Sequence, residues 1–115
     1  AGSSEVTIEL SKDKIPYIDS AEEYSEKEFL PGGMFNNMEY LKGKYEFIDV
    51  PKYLSNIVFD PQTSGGLLFS CSEEDSEKIL AELNKLEIKS AIIGKVTEKQ
   101  EKLIVLKELA TKIYI

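Results

Sequence analysis

The chain has 115 residues and a formal net charge of −7, with 21 acidic against 14 basic side chains. This acidic surplus argues against a basic surface for nucleic acid and against attachment to an anionic membrane. The length fits a single domain, 42% hydrophobic residues suit a globular core, and no apolar run approaches the roughly 18 residues of a membrane span.

Alternating polarity near the start of the chain predicts the first strand. Val6, Ile8 and Leu10 alternate with the polar residues Thr7 and Glu9. A period of two over this length is typical of a half-buried strand.

Two short helices are predicted next. Ser20 followed by Glu23 has the spacing of a capping box and predicts a helix over residues 21–28. Pro31–Gly33 then interrupts the helical pattern, and Gly43 is placed to end the second helix. The apolar stripe of that second helix consists of Met34, Met38 and Leu41.

The middle of the chain predicts a short strand around Tyr45 and Phe47, followed by a third helix that has Pro51 in its first turn. An apolar helix face then leads to Asp60. It is formed by Tyr53, Leu54, Ile57 and Val58.

The second half predicts a strand at residues 67–71, a helix from Ser72 to about residue 86, and strands at 88–93 and 103–106. Together with the first half, this order predicts an α+β domain in which helices pack on a mixed sheet of about four strands.

The segment Asp60–Gly66 is the candidate functional loop. Asp60-Pro61 favours a turn, because proline fixes its own φ and restricts the residue before it. Thr63 and Ser64 offer hydroxyls. Two glycines follow, Gly65 and Gly66, which leave the backbone open to close approach or to positive φ. Such a loop can hold an anion in its N–H groups, or it can simply be a tight turn into an apolar strand that anchors it to a core.

Cysteine and histidine usage limits the chemistry of the chain. A single cysteine, Cys71, excludes an internal disulfide and fits a reducing cytoplasm. With no histidine in the sequence, a Cys–His nucleophile pair within the chain is excluded. A single thiol without partner ligands is also a poor metal site, so we predict no metal site within these 115 residues and interpret Cys71 as a small core residue.

The string Asp60-Pro61-Gln62-Thr63-Ser64-Gly65-Gly66-Leu67-Leu68 resembles the C-terminal signature of the selenophosphate synthetase (selenide, water dikinase) family. Pro31-Gly32-Gly33 with Asn37, and Ala91–Val96, resemble two further family segments in the same order. The chain departs from the family at Met34 and Asn36, where the family usually has threonine and arginine. Residues 107–115 match nothing in it.

The resemblance implies a fold like the C-terminal domain of aminoimidazole ribonucleotide synthetase, which is partly ferredoxin-like. It also implies an enzyme that makes selenophosphate, AMP and orthophosphate from ATP, selenide and water, using Mg²⁺, as a cytoplasmic homodimer. The reactive cysteine or selenocysteine, the lysine and the metal-binding aspartates of the family precede this region. Residues 1–115 are therefore expected to be a C-terminal domain that is inactive without its N-terminal domain and binds no cofactor by itself.

On this interpretation the loop helps to close the phosphate or substrate site of the missing domain. The candidate contacts are Thr63, Ser64, Gly65 and Gly66. The candidate loop supports are Asp60, Gln62, Gly32, Gly33 and Asn37. Asn37 either fixes its own turn by local hydrogen bonds, which the sequence alone favours, or reaches a ligand.

Two alternatives stay open from the sequence. One is a related enzyme domain of the hydrogenase-maturation or thiamin-phosphate kinase type. The other is a non-catalytic module that binds a ligand or dimerises, because α+β folds of this kind host many functions.

Overall fold

The computed structural model describes residues 1–109, which form an α+β fold with a mixed four-stranded sheet, as predicted. Leu109 lies beyond the last strand, and Ile113 and Ile115 lie outside the described residues. The elements in chain order are β1 (Val6–Ser11), α1 (Ala21–Glu26), α2 (Gly32–Tyr40), β2 (Tyr45–Phe47), α3 (Lys52–Val58), α4 (Glu73–Lys85), β3 (Gly94–Glu98) and β4 (Ile104–Lys107).

The sheet has the strand order β2-β4-β1-β3. At the centre, Ile8 of β1 lies opposite Ile104 of the parallel strand β4 and opposite Val96 of the antiparallel strand β3. β2 is parallel to β4, with Tyr45 opposite Ile104. The two edges of the sheet are therefore β2 and β3.

Aromatic rings join the end of α3 to the edge strand β2. The ring of Phe59 lies 4.9 Å from that of Tyr45 and 5.6 Å from that of Phe47, measured between centroids. Leu106 of β4 is fully buried, and Phe59 is also buried. Aromatic pairs of this kind contribute about 0.5–1.5 kcal/mol beyond their buried area. The ring contacts of Phe59 therefore hold the C-terminal end of α3 against β2.

The more buried face of β1 is the polar one, formed by Thr7, Glu9 and Ser11. The Thr7 hydroxyl donates to the carbonyl of Lys102 (2.7 Å) and accepts from the backbone N–H of Gln100 (2.8 Å). The alternation predicted the strand correctly. Which of the two faces of β1 is more buried depends on residues far away in the sequence, such as Lys102 and Gln100.

Glu9 forms ion pairs across both neighbouring strands, with Lys107 of β4 at 3.2 Å and Lys95 of β3 at 3.3 Å. Burial raises the pKa of the Glu9 carboxyl. The hydrogen bonds and charges of Lys107 and Lys95 outweigh burial, so the pKa lies below its ordinary value.

A buried hydrogen-bond chain joins α1 to α3. The Ser25 hydroxyl donates to the carbonyl of Tyr53 (3.1 Å), and the Asn56 side-chain nitrogen donates to the Ser25 hydroxyl (3.2 Å). Because Ser25 and Asn56 are both buried, each needs the other to satisfy its polar atoms.

α4 begins with the predicted cap, in which the Ser72 hydroxyl accepts from the backbone N–H of Asp75 (3.3 Å). Its predicted apolar stripe is less buried than expected, because Leu86 is 68% exposed. Within residues 1–109, no helix is both long enough and apolar enough to cross a bilayer.

Several predicted boundaries are wrong. Residues 67–71 and 88–93 are not strands, and β3 starts at Gly94, where the last of these was predicted to end. Their composition permits a strand, but a strand exists only where a neighbour supplies hydrogen bonds. Ser20 forms no side-chain cap, since its backbone is helical rather than extended. Pro51 precedes α3 as the N-cap instead of lying inside it.

Candidate functional site

Helix α2 presents Gly33 and Asn37, one turn apart, to the chain leaving α3. The Asn37 side-chain nitrogen donates to the carbonyl oxygen of Phe59 at 3.1 Å. A Cβ built on Gly33 would lie 2.8 Å from Cγ of Pro61. Residues four apart lie on one face of a helix, so α2 holds the start of the loop with a hydrogen bond and a close backbone contact.

The turn out of α3 is closed by backbone hydrogen bonds. The N–H of Asp60 donates to the carbonyl of Ile57 (3.2 Å), and the N–H of Gln62 donates to the carbonyl of Asp60 (3.0 Å). Pro61, which has no N–H, lies between them. The loop therefore leaves the helix in a fixed direction.

The Gln62 side chain lies against the first glycine of the pair. A Cβ on Gly65 would be 3.0 Å from the Gln62 side-chain oxygen, whereas a Cβ on Gly66 would enter open space. Neither glycine has a positive φ; among the described glycines only Gly43, in the turn after α2, has one. The glycine pair thus provides room and not a left-handed turn.

The side chains of Thr63 and Ser64 are exposed to solvent. Residues 61–70 are all exposed, and within the described chain Thr63 and Ser64 make no side-chain hydrogen bond. A loop held at its start, with unengaged hydroxyls and accessible backbone N–H groups, can bind an anion without a basic side chain.

An apolar cavity of about 420 Å³ lies beside the start of the loop. Its polar lining consists of Asn37, Asp60 and the hydroxyl of Tyr45. The remaining lining residues belong to the sheet, to α3 and to the residues that directly follow α2 and α3. The apolar lining residues are Leu10, Leu41, Tyr45, Phe47, Val58, Phe59, Ile104 and Leu106.

The remaining predicted supports act differently from one another. Asp60 contributes its backbone, since its carboxylate makes no hydrogen bond within the described residues. Gly32 starts α2 and has open space where a side chain would be. The contact between Gly33 and Pro61 was not anticipated. The sequence identifies the Pro31–Gly33 and Asp60–Gly66 segments as turns. A contact between residues 28 positions apart cannot be predicted from a single sequence.

The expected anchor after the loop is wrong. Leu67 is 89% exposed, Leu68 57% and Phe69 45%. These side chains were expected to be buried in a strand, yet the described part of the domain provides no surface that covers them.

Clustered metal ligands are not found in the part of the chain that the structure describes. Within residues 1–109, no three side chains of His, Cys, Asp or Glu come together in a group that could hold a metal.

Comparison with known proteins identifies the domain type. Residues 1–107 match the family described as AIR synthase related protein, C-terminal domain. The selenide, water dikinase of Caldanaerobacter subterraneus subsp. tengcongensis is 48% identical over 102 residues, covering 88% of this chain and 30% of that protein. That of Clostridium botulinum (strain Eklund 17B / Type B) is 39% identical over 108 residues, covering 93% and 31%.

A third relative, the selenide, water dikinase of Clostridioides difficile (strain 630), is 39% identical over 107 residues, covering 90% of this chain and 30% of that protein. The chain thus spans about 30% of the length of these curated relatives. The match to the domain family extends over nearly all of the chain and includes both segments that form the candidate site. The chain therefore belongs to the family of AIR synthase related proteins, as their C-terminal domain.

Proposed function

We propose that residues 1–115 form the C-terminal domain of a selenide, water dikinase, which makes selenophosphate, AMP and orthophosphate from ATP, selenide and water. The names of the relatives and the 30% share of their length that the chain spans support this assignment. The partner of the domain is then its own N-terminal domain, which supplies the catalytic groups.

The role proposed for this domain is to complete the phosphate or substrate site with the loop Asp60–Gly66. One observation carries the proposal: the loop is fixed at its start by Asn37 and Gly33, while Thr63 and Ser64 are exposed and make no hydrogen bond in the described chain. Both hydroxyls are therefore accessible to a ligand that approaches the tip of the loop.

Phosphoryl transfer depends mostly on positioning and on electrostatic stabilisation. The proposed part of this chain is limited to positioning. Backbone N–H groups of Ser64, Gly65 and Gly66 would hold phosphate oxygens, and the hydroxyls of Thr63 and Ser64 would add hydrogen bonds. Magnesium, when bound in the complete enzyme, would neutralise phosphate charge, and its ligands are assigned to the N-terminal domain.

The complete enzyme is proposed to be a cytoplasmic homodimer that binds ATP. The use of a single cysteine supports a reducing compartment. The fragment itself is proposed to be inactive and to bind no nucleotide. Calorimetric titration of residues 1–115 with ATP and Mg²⁺ is expected to give no binding heat, and tight binding would contradict this division of labour.

The loop is tested with Gly66→Val in the full-length enzyme. Because a side chain at Gly66 meets no atom within 4 Å, the domain should fold normally while the added methyl groups occupy the space proposed for phosphate. Displacing reacting groups by about 1 Å can cost about a hundredfold in rate, so selenophosphate formation should fall by about that factor.

Gly2→Val is the matched control, since Gly2 lies in the N-terminal turn outside the candidate site and a Cβ there would be 3.4 Å from the end of the Leu103 side chain, an ordinary contact. The control should retain its activity. Equal activities for the two variants, with both folded by thermal unfolding, would contradict a ligand-contacting role for the loop.

A further inference from the structure

The apolar face of the sheet is incompletely covered. On β1 the apolar side is half-buried, whereas the polar side is buried. The apolar cavity of about 420 Å³ lies on this face, and its wall includes Leu10, Phe47 and Leu106. Leu106 lies opposite Leu10 on one side and opposite Phe47 on the other. Packed interiors contain few voids larger than a water molecule, so an apolar cavity of this size is a surface that further apolar side chains could cover.

The chain leaves the sheet beside this cavity. β4 ends at Lys107, directly after Leu106. The carbonyl of Leu106 accepts from the backbone N–H of Ile48, and that of Lys107 accepts from the N–H of Lys12, both at 2.9 Å. Ile48 directly follows β2 and Lys12 directly follows β1. The chain therefore passes between the ends of these two strands, one residue beyond the cavity wall.

The sequence of the C-terminal segment suits an apolar surface. Residues 110–115, which lie outside the described residues, read Ala-Thr-Lys-Ile-Tyr-Ile. In an extended segment alternate side chains point to opposite sides, so Ile113 and Ile115 would share one side and Tyr114 would lie on the other. β-branched and aromatic residues favour extended backbone. The match to the domain family ends at residue 107, so this segment is an addition to the matched domain.

The segment is also long enough to cover the cavity. Between Leu106 and Ile104, which both line it, the wall extends two residues along β4, or about 7 Å. Residues 108–110 are enough to reverse the direction of the chain, since hairpins are often closed by loops of about two or three residues. The four steps from residue 111 to residue 115 then span up to about 13 Å.

We propose that residues 111–115 turn back along β4 and close the apolar cavity, with Ile113 and Ile115 inside and Tyr114 outside. Because the segment is joined to the cavity wall, it is present at a higher effective concentration than a separate partner or a second copy of the chain. Asp60 also lines the cavity, so closure would support the start of the candidate loop. The inference does not rest on the proposed function, because it concerns only packing within this chain.

Nuclear Overhauser effects in the 115-residue chain test the proposal directly. The methyl groups of Ile113 and Ile115 should show contacts with ring protons of Tyr45, Phe47 and Phe59, since packed apolar side chains lie within about 4.5 Å of each other. A sample that mixes isotope-labelled and unlabelled chains separates contacts within one chain from contacts between two copies. The absence of these contacts, or their appearance only between two copies, would overturn the proposal.

Ile113→Asp should open the cavity. Losing the burial of one isoleucine should lower the equilibrium constant for folding at least about tenfold in urea unfolding. The fluorescence of the dye ANS, which binds exposed hydrophobic surface, should increase. Tyr114→Asp is the matched control, because it adds the same charge one residue away on the side that faces outwards, and it should change neither measurement. Equal effects of the two variants would overturn the proposal as well.

Discussion

Gly33 and Pro61 approach each other so closely that a Cβ on Gly33 would lie 2.8 Å from Cγ of the proline ring. The two residues belong to turns that lie 28 positions apart, and the bare backbone of α2 at this point lets the candidate loop leave α3 directly against the helix. The contact turns two separate glycine- and proline-containing motifs into one structural unit.

Gly33→Ala should therefore destabilise the domain, although alanine is the better helix former. Overpacking costs about 1–3 kcal/mol, and the higher helix propensity of alanine offsets up to about 1 kcal/mol. The proline ring is tied to the backbone and cannot turn aside. Urea unfolding should show a net loss of up to about 2 kcal/mol.

Removing the ring should reverse the sign of this effect. In a Pro61→Ala background the nearest remaining atom is Cβ of residue 61, which is 3.5 Å away in the present structure and would make an ordinary contact. Gly33→Ala should then be neutral or stabilising, and the double-mutant cycle isolates the contact. If Gly33→Ala destabilised the Pro61→Ala chain as much as the wild-type chain, the clash would not involve the proline ring.

Asn37→Ala should remove the hydrogen bond to the Phe59 carbonyl. A typical net contribution of such a bond is about 0.5–1.5 kcal/mol, and the free energy of unfolding should fall by that amount. Asn36→Ala is the matched control, since Asn36 is an exposed neighbour that makes no side-chain hydrogen bond in the described chain. Equal losses for both variants would point to helix propensity instead of the bond.

The sequence predicted those features that depend on a few neighbouring residues. The Ser72 cap of α4, the strand β1 and the fold class follow from local spacing and from the order of elements. The sequence also identifies the residues of the candidate loop, and their contact with a ligand stays a prediction. That the two motifs touch could not be read from the sequence, because it depends on how α2 lies against the end of α3.

The wrong predictions share one physical origin, which is dependence on distant partners. Residues 67–71 have the composition of a buried strand but no neighbouring strand in the described chain. The polar side of β1 is the better covered side because Thr7 bonds to residues more than 90 positions away and Glu9 to lysines on two other strands. Alternation in a sequence identifies two faces of a strand and does not tell which one the rest of the fold covers.

Ser25→Ala should be costly because it breaks the buried connection between α1 and α3. It leaves the Asn56 amide and the Tyr53 carbonyl without the hydroxyl that joins them. A buried polar group without its partner costs about 1–3 kcal/mol, and thermal or urea unfolding should show a loss in this range. Ser55→Ala, on α3, should change little, since Ser55 is half-buried and makes no side-chain hydrogen bond among the described residues. If Ser55→Ala lowered the free energy of unfolding as much as Ser25→Ala does, the loss would come from packing and not from the Ser25 hydrogen bonds.

Glu9→Gln should destabilise the sheet in a pH-dependent manner. The two lysine partners hold the pKa of Glu9 below its ordinary value, so the unfolded chain takes up a proton at a higher pH than the folded one. The stabilisation is fully present above the unfolded pKa of about 4.3 and is lost as the pH falls through the lower folded pKa. At pH 7 the loss in Glu9→Gln should be about 1.5–3 kcal/mol, as for hydrogen bonds to charged groups.

Urea unfolding of wild-type and Glu9→Gln chains between pH 7 and pH 3 checks this expectation, with Glu46→Gln as the control. Glu46 is exposed on β2 and forms no ion pair within the described residues, so its substitution should have little effect at any pH. The gap between wild type and Glu9→Gln should narrow as the pH is lowered, because protonation removes the same charge that the substitution removes. A gap that stays constant down to pH 3 would mean that Glu9 stabilises the strands by its shape and not by its charge.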